Sequence, residues 1–260
     1  MKLTIDTDQN TLVFESTDGP EICSLYSDRA FELLSEQWIK IGWNQRYPYT
    51  FSWFGRPIIQ LPEDMLRAQE VIYRLRPDVI LETGVAYGGS LVYYASLCKA
   101  MGIGRVIGID IEIRPHNRAA IEAHELASFI TLIEGSSTSP VTVAAAKSLL
   151  RPGETVLVLL DSNHTKQHVL DELVAYHDLV SPGSYIVATD GVMKDLHDVP
   201  RGQPEWTWDN PTHAAIDFVS DHPDFVIEQP AWPFNESGLR RNVTHWPGAW
   251  LRRTSPGSSS

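Results

Sequence analysis

From Leu61 to Ala188 the chain repeats one pattern: a short apolar run, a small or acidic residue at its end, then a longer stretch of mixed polarity. The apolar runs are DVILET (78–83), RVIGIDI (105–111), FITLIE (129–134), TVLVLL (155–160) and SYIVA (184–188). Each is rich in β-branched residues and apolar at consecutive positions, as a strand covered on both faces must be. Between them Pro62–Arg76, Ser90–Met101, a polar stretch after Ile111, the Ala-rich Pro140–Leu150 and the residues from Thr165 onward read as helices. Strands alternating with helices predict an α/β fold with a parallel sheet and helices on both faces. Pro211–Asp221 reads as a further helix, and Phe225–Glu228 and Ala249–Arg252 as two final strands.

The first sixty residues follow other rules. KLTIDTDQNTLVFES (2–16) alternates around a DQN turn and predicts a hairpin. Ser27–Gly42 predicts an amphipathic helix, with Phe31, Leu34, Trp38 and Ile41 at spacings of three and four, Ser27 as its cap and Gly42 as its end. WNQRYPYTFSWFGRPIIQLPED (43–64) is aromatic and Pro-rich without a clear period, an ordered linker packed on the main domain. The division expected is an N-terminal extension over 1–60, a main domain over 61–254 and a disordered tail over 255–260.

Composition narrows the function classes. Of 260 residues 43% are hydrophobic and 21% charged, a globular balance, and the net charge is −12. Phosphate backbones are gripped by clustered Lys and Arg, so nucleic acid is not expected as a partner. Arg240-Arg241 and Arg252-Arg253 are too few for a basic face. Two cysteines, Cys23 and Cys98, make neither a disulfide framework nor a zinc site. No apolar run approaches the ~20 residues that cross a membrane, and MKLTIDTDQN lacks the apolar core of a signal peptide. The expectation is a cytoplasmic protein.

Ligands of an open parallel sheet bind at the carboxyl ends of its strands. There the sequence places Glu82-Thr83-Gly84, with Gly88, Gly89 and Ser90 to follow; Asp110; Glu134-Gly135-Ser136-Ser137; Asp161-Ser162-Asn163-His164; and Thr189-Asp190-Gly191. A dinucleotide loop is usually G-x-G-x-x-G. Here an acid sits in the strand end, where it repels a pyrophosphate but accepts a hydrogen bond from a cationic amino-acid group or a ribose. With Asp110 set to accept from ribose hydroxyls, this favours S-adenosylmethionine over NAD; the glycines alone are equally consistent with tight strand–helix packing. Neighbouring parallel strands lie ~4.8 Å apart. If the fourth and fifth are adjacent, Asp161 and Asp190 converge and repel unless a proton or cation lies between them, and oxygen ligands suit Mg²⁺. Taken singly, Asp161 reads as a helix N-cap and Asp190 as a turn residue.

His164 stands three residues after Asp161. Histidine titrates near neutrality and can take the proton of a metal-bound alcohol. Alternatively His164 and His168, at i and i+4, form a metal pair that with one carboxylate makes an iron triad; otherwise His168 is solvated or adjacent to the cap. The long segment 191–210 reads as a lid, in which Trp206 and Trp208 either stack on a sugar or anchor the loop. Tyr47, Tyr49 and Trp53 cover either the pocket or only the core.

ILETGVAYGGS, VIGIDIEIRPHNR, LIEGSS, LLDSNH and SPGSYIVATD together resemble the cephalosporin hydroxylase family, also known as rhamnosyl O-methyltransferases. SWFGRPIIQLPEDM, WPFNES and WPGAWLRR extend the likeness to roughly 27–253. The resemblance implies a Rossmann-like class I methyltransferase: a seven-stranded, mostly parallel sheet ordered 3-2-1-4-5-7-6 with the seventh strand antiparallel. It implies a sugar O-methyltransferase using S-adenosylmethionine, with Mg²⁺ at the ends of strands four and five and the histidine of an Asp-x-x-His motif as base. Asp161 and His164 match that motif as catalytic residues, and Asp161 and Asp190 match the metal ligands. Glu82, Thr83, Gly84, Gly88, Ser90, Asp110, Ser136, Ser137 and Asp161 would bind the cofactor, while Trp206, Trp208 and His164 would face a sugar or glycan acceptor. Relatives often carry two adjacent acids where this chain has Thr189-Asp190, so one ligand is missing or comes from Asn163, Asp195 or water. The rivals are an iron-dependent oxygenase and a non-catalytic S-adenosylmethionine-binding subunit. Relatives also suggest a homo-oligomer, with the aromatic N-terminal segment as a candidate contact.

Overall fold

The computed structural model describes residues 2–16 and 19–254. The expected tail at 255–260 lies outside the described residues. Three strands, β1 (Leu3–Asp6), β2 (Thr11–Ser16) and β3 (Gly19–Ser24), form an antiparallel sheet, one strand more than the predicted hairpin. Helix α1 (Asp28–Asn44) follows, with Ser27 Oγ accepting from the Ala30 amide at 3.2 Å as the expected cap. Gly42 does not end it: the helix runs through this buried glycine to Asn44. The linker region holds a small hairpin, β4 (Phe51–Trp53) with β5 (Arg56–Ile58).

The main sheet comes from β6 (Val79–Thr83), β7 (Arg105–Asp110), β8 (Ile130–Glu134), β9 (Val156–Leu160), β10 (Tyr185–Ala188), β11 (Phe225–Ile227) and β12 (Trp250–Arg253). Helix α2 (Pro62–Leu75) precedes β6, and α3 (Gly89–Met101), α4 (Pro115–Glu122), α5 (Pro140–Ser148), α6 (Lys166–Tyr176) and α7 (Pro211–Asp221) lie between successive strands. The spatial order is β11-β12-β10-β9-β6-β7-β8, and β12 is antiparallel to both its neighbours. Renumbered from β6, this is 3-2-1-4-5-7-6. The predicted strands all form, with ends shifted by a residue or so.

Every residue of β6 and β9 is buried, which accounts for their unbroken apolar sequence. One face of the sheet packs residues such as Val92, Ala95 and Trp250; the other packs Leu173, Ala215 and Phe218. The register aligns the carboxyl ends: Thr83 lies opposite Ile109 and Leu160, Ala188 opposite Leu160, and Asp110 opposite Glu134. The polar residues after each strand therefore fall along one edge.

Candidate active site at the carboxyl ends of the strands

The loop after β6 is held against its neighbours by backbone. Gly84 N–H donates to the Ile109 carbonyl at 2.7 Å, and Asp161 N–H to the Thr83 carbonyl at 2.9 Å. A Cβ on Gly84 (φ +94°) would stand 2.0 Å from the Asp161 carbonyl oxygen, and one on Gly89 2.1 Å from that of Pro57. These glycines allow contacts that no side chain permits. Glu82, fully buried, accepts from Ser90 Oγ at 2.6 Å, while its Oε1 and the Thr83 hydroxyl lack partners among the described residues. Burial, reinforced by the charge of Asp161, raises the Glu82 carboxyl well above the usual carboxylate range. Asp110 Oδ2 accepts from the Val85 and Ala86 amides at 2.8 and 3.2 Å, so Asp110 shapes the glycine loop as well as facing its rim.

Asp161 is not the cap of α6. Asn163 Oδ1 accepts from the Thr165 amide at 3.0 Å and Asp209 Oδ1 from the Lys166 amide at 2.6 Å, which satisfies that end of the helix. The Asp161 carboxylate instead accepts from Gln60 Nε2 at 2.7 Å on Oδ2 and from Thr189 Oγ1 at 2.7 Å on Oδ1. Thr189 is thus a donor to Asp161. Asp190 adopts φ +56°, a left-handed conformation rare for a side chain bearing a Cβ. His164 Nε2 lies 3.4 Å from Asp190 Oδ2. Single donor atoms of Asp161, His164 and Asp190 all fall within 4.8 Å of one another. Burial pushes Asp190 up to about 6, opposed by the adjacent His164, and likewise raises Asp161.

The two carboxylate oxygens at this separation suit a divalent cation, with the His164 nitrogen beside them. Asn163 is engaged in its turn, and Asp195 pairs with Lys194, outside the cluster. His168 does not join His164. Its Nε2 faces Ser137, Ser162 and Glu172, so the two-histidine triad does not assemble and His168 is not merely solvated. Ser137 is buried, and Ser136 Oγ pairs with Thr138 Oγ1 at 3.2 Å.

Trp206 meets Trp43 edge-on at 5.9 Å and joins a cluster around Ile39, Leu61 and Leu196. It anchors the 191–210 segment, whereas Trp208 stays 60% exposed. Sequence reasoning missed Gln60 and Glu172. Gln60 lies in a stretch without period, 101 residues from the carboxylate it holds. Glu172 drew no reading from the sequence, although its place four residues after His168 on α6 was a signal.

A family model described as Rhamnosyl O-methyltransferase/CmcI matches residues 45–254. A rhamnosyl O-methyltransferase of Mycobacterium leprae (strain TN) is 27% identical over 176 residues, 66% of this chain and 74% of that protein. One from Mycobacterium bovis (strain BCG / Pasteur 1173P2) is 32% identical over 130 residues, 49% of this chain and 51% of that protein. Among solved structures, apo CmcI superposes with a TM-score of 0.53 at 20% identity, covering 80% of this chain and 77% of that one. CmcI with Mg and SAM gives 0.52 at 20%, covering 80% and 78%. At that identity the two structures speak for the fold.

Proposed function

The chain belongs to the Rhamnosyl O-methyltransferase/CmcI family of O-methyltransferases, and from that premise we propose that it moves the methyl group of S-adenosylmethionine to a sugar or glycan hydroxyl, with Mg²⁺ and with His164 as general base. The observation that carries this reading is the convergence of Asp161, His164 and Asp190 beside the glycine loop. Glu82 supports the cofactor: its buried carboxyl is a group that a cationic amino-acid end returns to the charged form.

Asp161 and Asp190 would hold the cation, and Gln60 and Thr189 fix the carboxylate of Asp161. A divalent cation held there would supply Lewis acidity toward the acceptor hydroxyl. His164 Nε2 takes the proton of the acceptor hydroxyl. The acceptor oxygen would bond to the methyl carbon as the bond from carbon to sulfur breaks, with S-adenosylhomocysteine as the leaving product. Holding both reactants in line supplies much of the rate.

The same reading takes 61–254 as the methyltransferase domain and 1–60 as an extension, in a cytoplasmic enzyme that self-associates. Phe31, Trp38 and Ile41, 39%, 46% and 58% exposed on α1, support an intersubunit contact. Among the described residues no helix is long and apolar enough to cross a membrane.

Incubation with methyl-labelled S-adenosylmethionine and a panel of sugars, nucleotide-sugars and glycans tests the proposal. Label is expected in a sugar acceptor, with the signal reduced by chelator. Oxygen consumption with iron and 2-oxoglutarate, and no label transferred, would overturn it in favour of an oxygenase. Label transferred only after a second protein is added would make the chain an accessory subunit.

A further inference from the structure

Helix α6 carries a polar stripe that methyl transfer does not use. His168, Glu172 and Tyr176 recur every four residues and so share one face of the helix. That face meets two of the strand-end loops. Tyr176 OH donates to the Ser137 carbonyl at 2.7 Å. Ser162 Oγ donates to Glu172 Oε1 at 2.7 Å. His168 Nε2 bridges the loops, 3.3 Å from Ser137 Oγ, 3.2 Å from Ser162 Oγ and 3.4 Å from Glu172 Oε1. The hydrogen bond to Glu172 raises the pKa of His168, which favours the charged imidazolium as the bridge.

Glu172 is fully buried, and its Oε2 has no partner among the described residues. A buried carboxylate left half-satisfied is costly, and an apolar side chain would fill the same space without that cost. The feature that only a carboxylate supplies here is the join to Ser162 and His168. Ser137 is one of the residues expected to bind the cofactor, here on its adenine side; Ser162 directly follows Asp161 and lies two residues before His164.

We propose that His168 and Glu172 are positioning residues that latch the loop after β8 to the loop after β9, so that an adenosyl group seated against Ser136 and Ser137 fixes the loop that carries Asp161 and His164. This rests on the reading of those loops as an S-adenosylmethionine site. The reactive loop is then ordered by occupancy of the base pocket. His168 is the side chain that touches both loops at once, beside the Tyr176 contact to the Ser137 carbonyl.

Titration calorimetry with S-adenosylhomocysteine tests the latch without an acceptor, alongside thermal melts of each variant. His168→Ala should weaken binding about tenfold, and Ser137→Ala by a similar factor. The double variant should lose little more than either alone, because the second change meets a latch already open. His168→Gln, which keeps an N–H donor, should recover most of the affinity. Asp171→Ala, on the exposed side of the same helix, should bind like the native chain. If His168→Ala does not fold, His168→Gln and Ser162→Ala carry the test, with Ser162→Ala expected to match the loss seen in Ser137→Ala. Affinity within twofold of native in His168→Ala, or losses that multiply in the double variant, overturns the latch alone. A native chain that binds no S-adenosylhomocysteine overturns the cofactor reading and the latch with it.

Discussion

The proposed chemistry turns on how a few side chains are held. Asp161 is set by two neutral donors, Gln60 and Thr189, so both its oxygens are oriented before any ligand arrives. His164 reaches Asp190 Oδ2 at 3.4 Å from the mouth of α6. His164→Ala should lower turnover by roughly 10²–10⁴-fold, the range for losing a general base, and should leave S-adenosylmethionine binding intact by calorimetry. Turnover unchanged from native would remove His164 from the base role. Asp161→Asn keeps the shape but not the charge. It should flatten the rise of activity with added Mg²⁺, and raise the Kd for Mn²⁺ followed by electron paramagnetic resonance by at least about tenfold, a common scale for altering a metal site. The DSNH stretch was legible as a candidate site because its residue types and spacing are local. Gln60 was not, since no local pattern ties it to a strand end 101 residues away.

Among elements, the glycine loop after β6 and helix α1 make opposite points. The loop was readable in sequence because glycine is the residue that a positive φ and a close backbone approach both require. Gly84→Ala forces a Cβ against the Asp161 carbonyl at φ +94°. We expect it to destabilise the fold by more than the ~1–3 kcal/mol of backbone strain alone, and to weaken S-adenosylhomocysteine binding. Gly153→Ala makes the control: its φ is +86°, with open space around the added Cβ. Equal urea midpoints for the two variants would mean that the close approach to Asp161 has no energetic weight. On α1 the spacing of Phe31, Leu34, Trp38 and Ile41 pointed to a buried stripe. The buried residues are Ala30, Leu33, Ile39 and Gly42 instead. An α-helix rich in apolar residues offers more than one candidate face. The choice belongs to what packs on it: here Leu12 and Phe14 at one end, Leu61 and Leu196 at the other.

Across the whole molecule, distant segments meet in the interior and set its response to pH. Asp64, at the start of α2, accepts from the Thr244 hydroxyl and, at 2.8 Å, from the His245 amide. Burial holds His245 down at about 4, against an ordinary 6.5. Between those values the unfolded chain binds a proton that the folded chain excludes, so this histidine removes stability as pH falls from 6.5 to 4, by at most ~1.4 kcal/mol per pH unit. Asp64, pushed up by burial to about 8, works the other way: the folded chain keeps its proton, and that contribution is lost as pH rises towards 8. The comparison of native protein with His245→Phe isolates the histidine, whose ring meets Trp43 edge-on at 5.5 Å. Urea unfolding across pH 4–7 should show a shallower acid loss in the variant; parallel curves would refute the assignment. The sequence by itself determined the alternation of strands and helices, the glycine loop, the acids at the strand ends and, with the family resemblance, the strand order. These follow from local periodicity and from residue types with few alternatives. Only the tertiary structure decided which face of α1 is buried, that Thr189 and Gln60 hold Asp161, and that His168 turns to Glu172 rather than to His164. Those are choices among contacts of similar local cost, and the packing of chain segments far apart in sequence settles them.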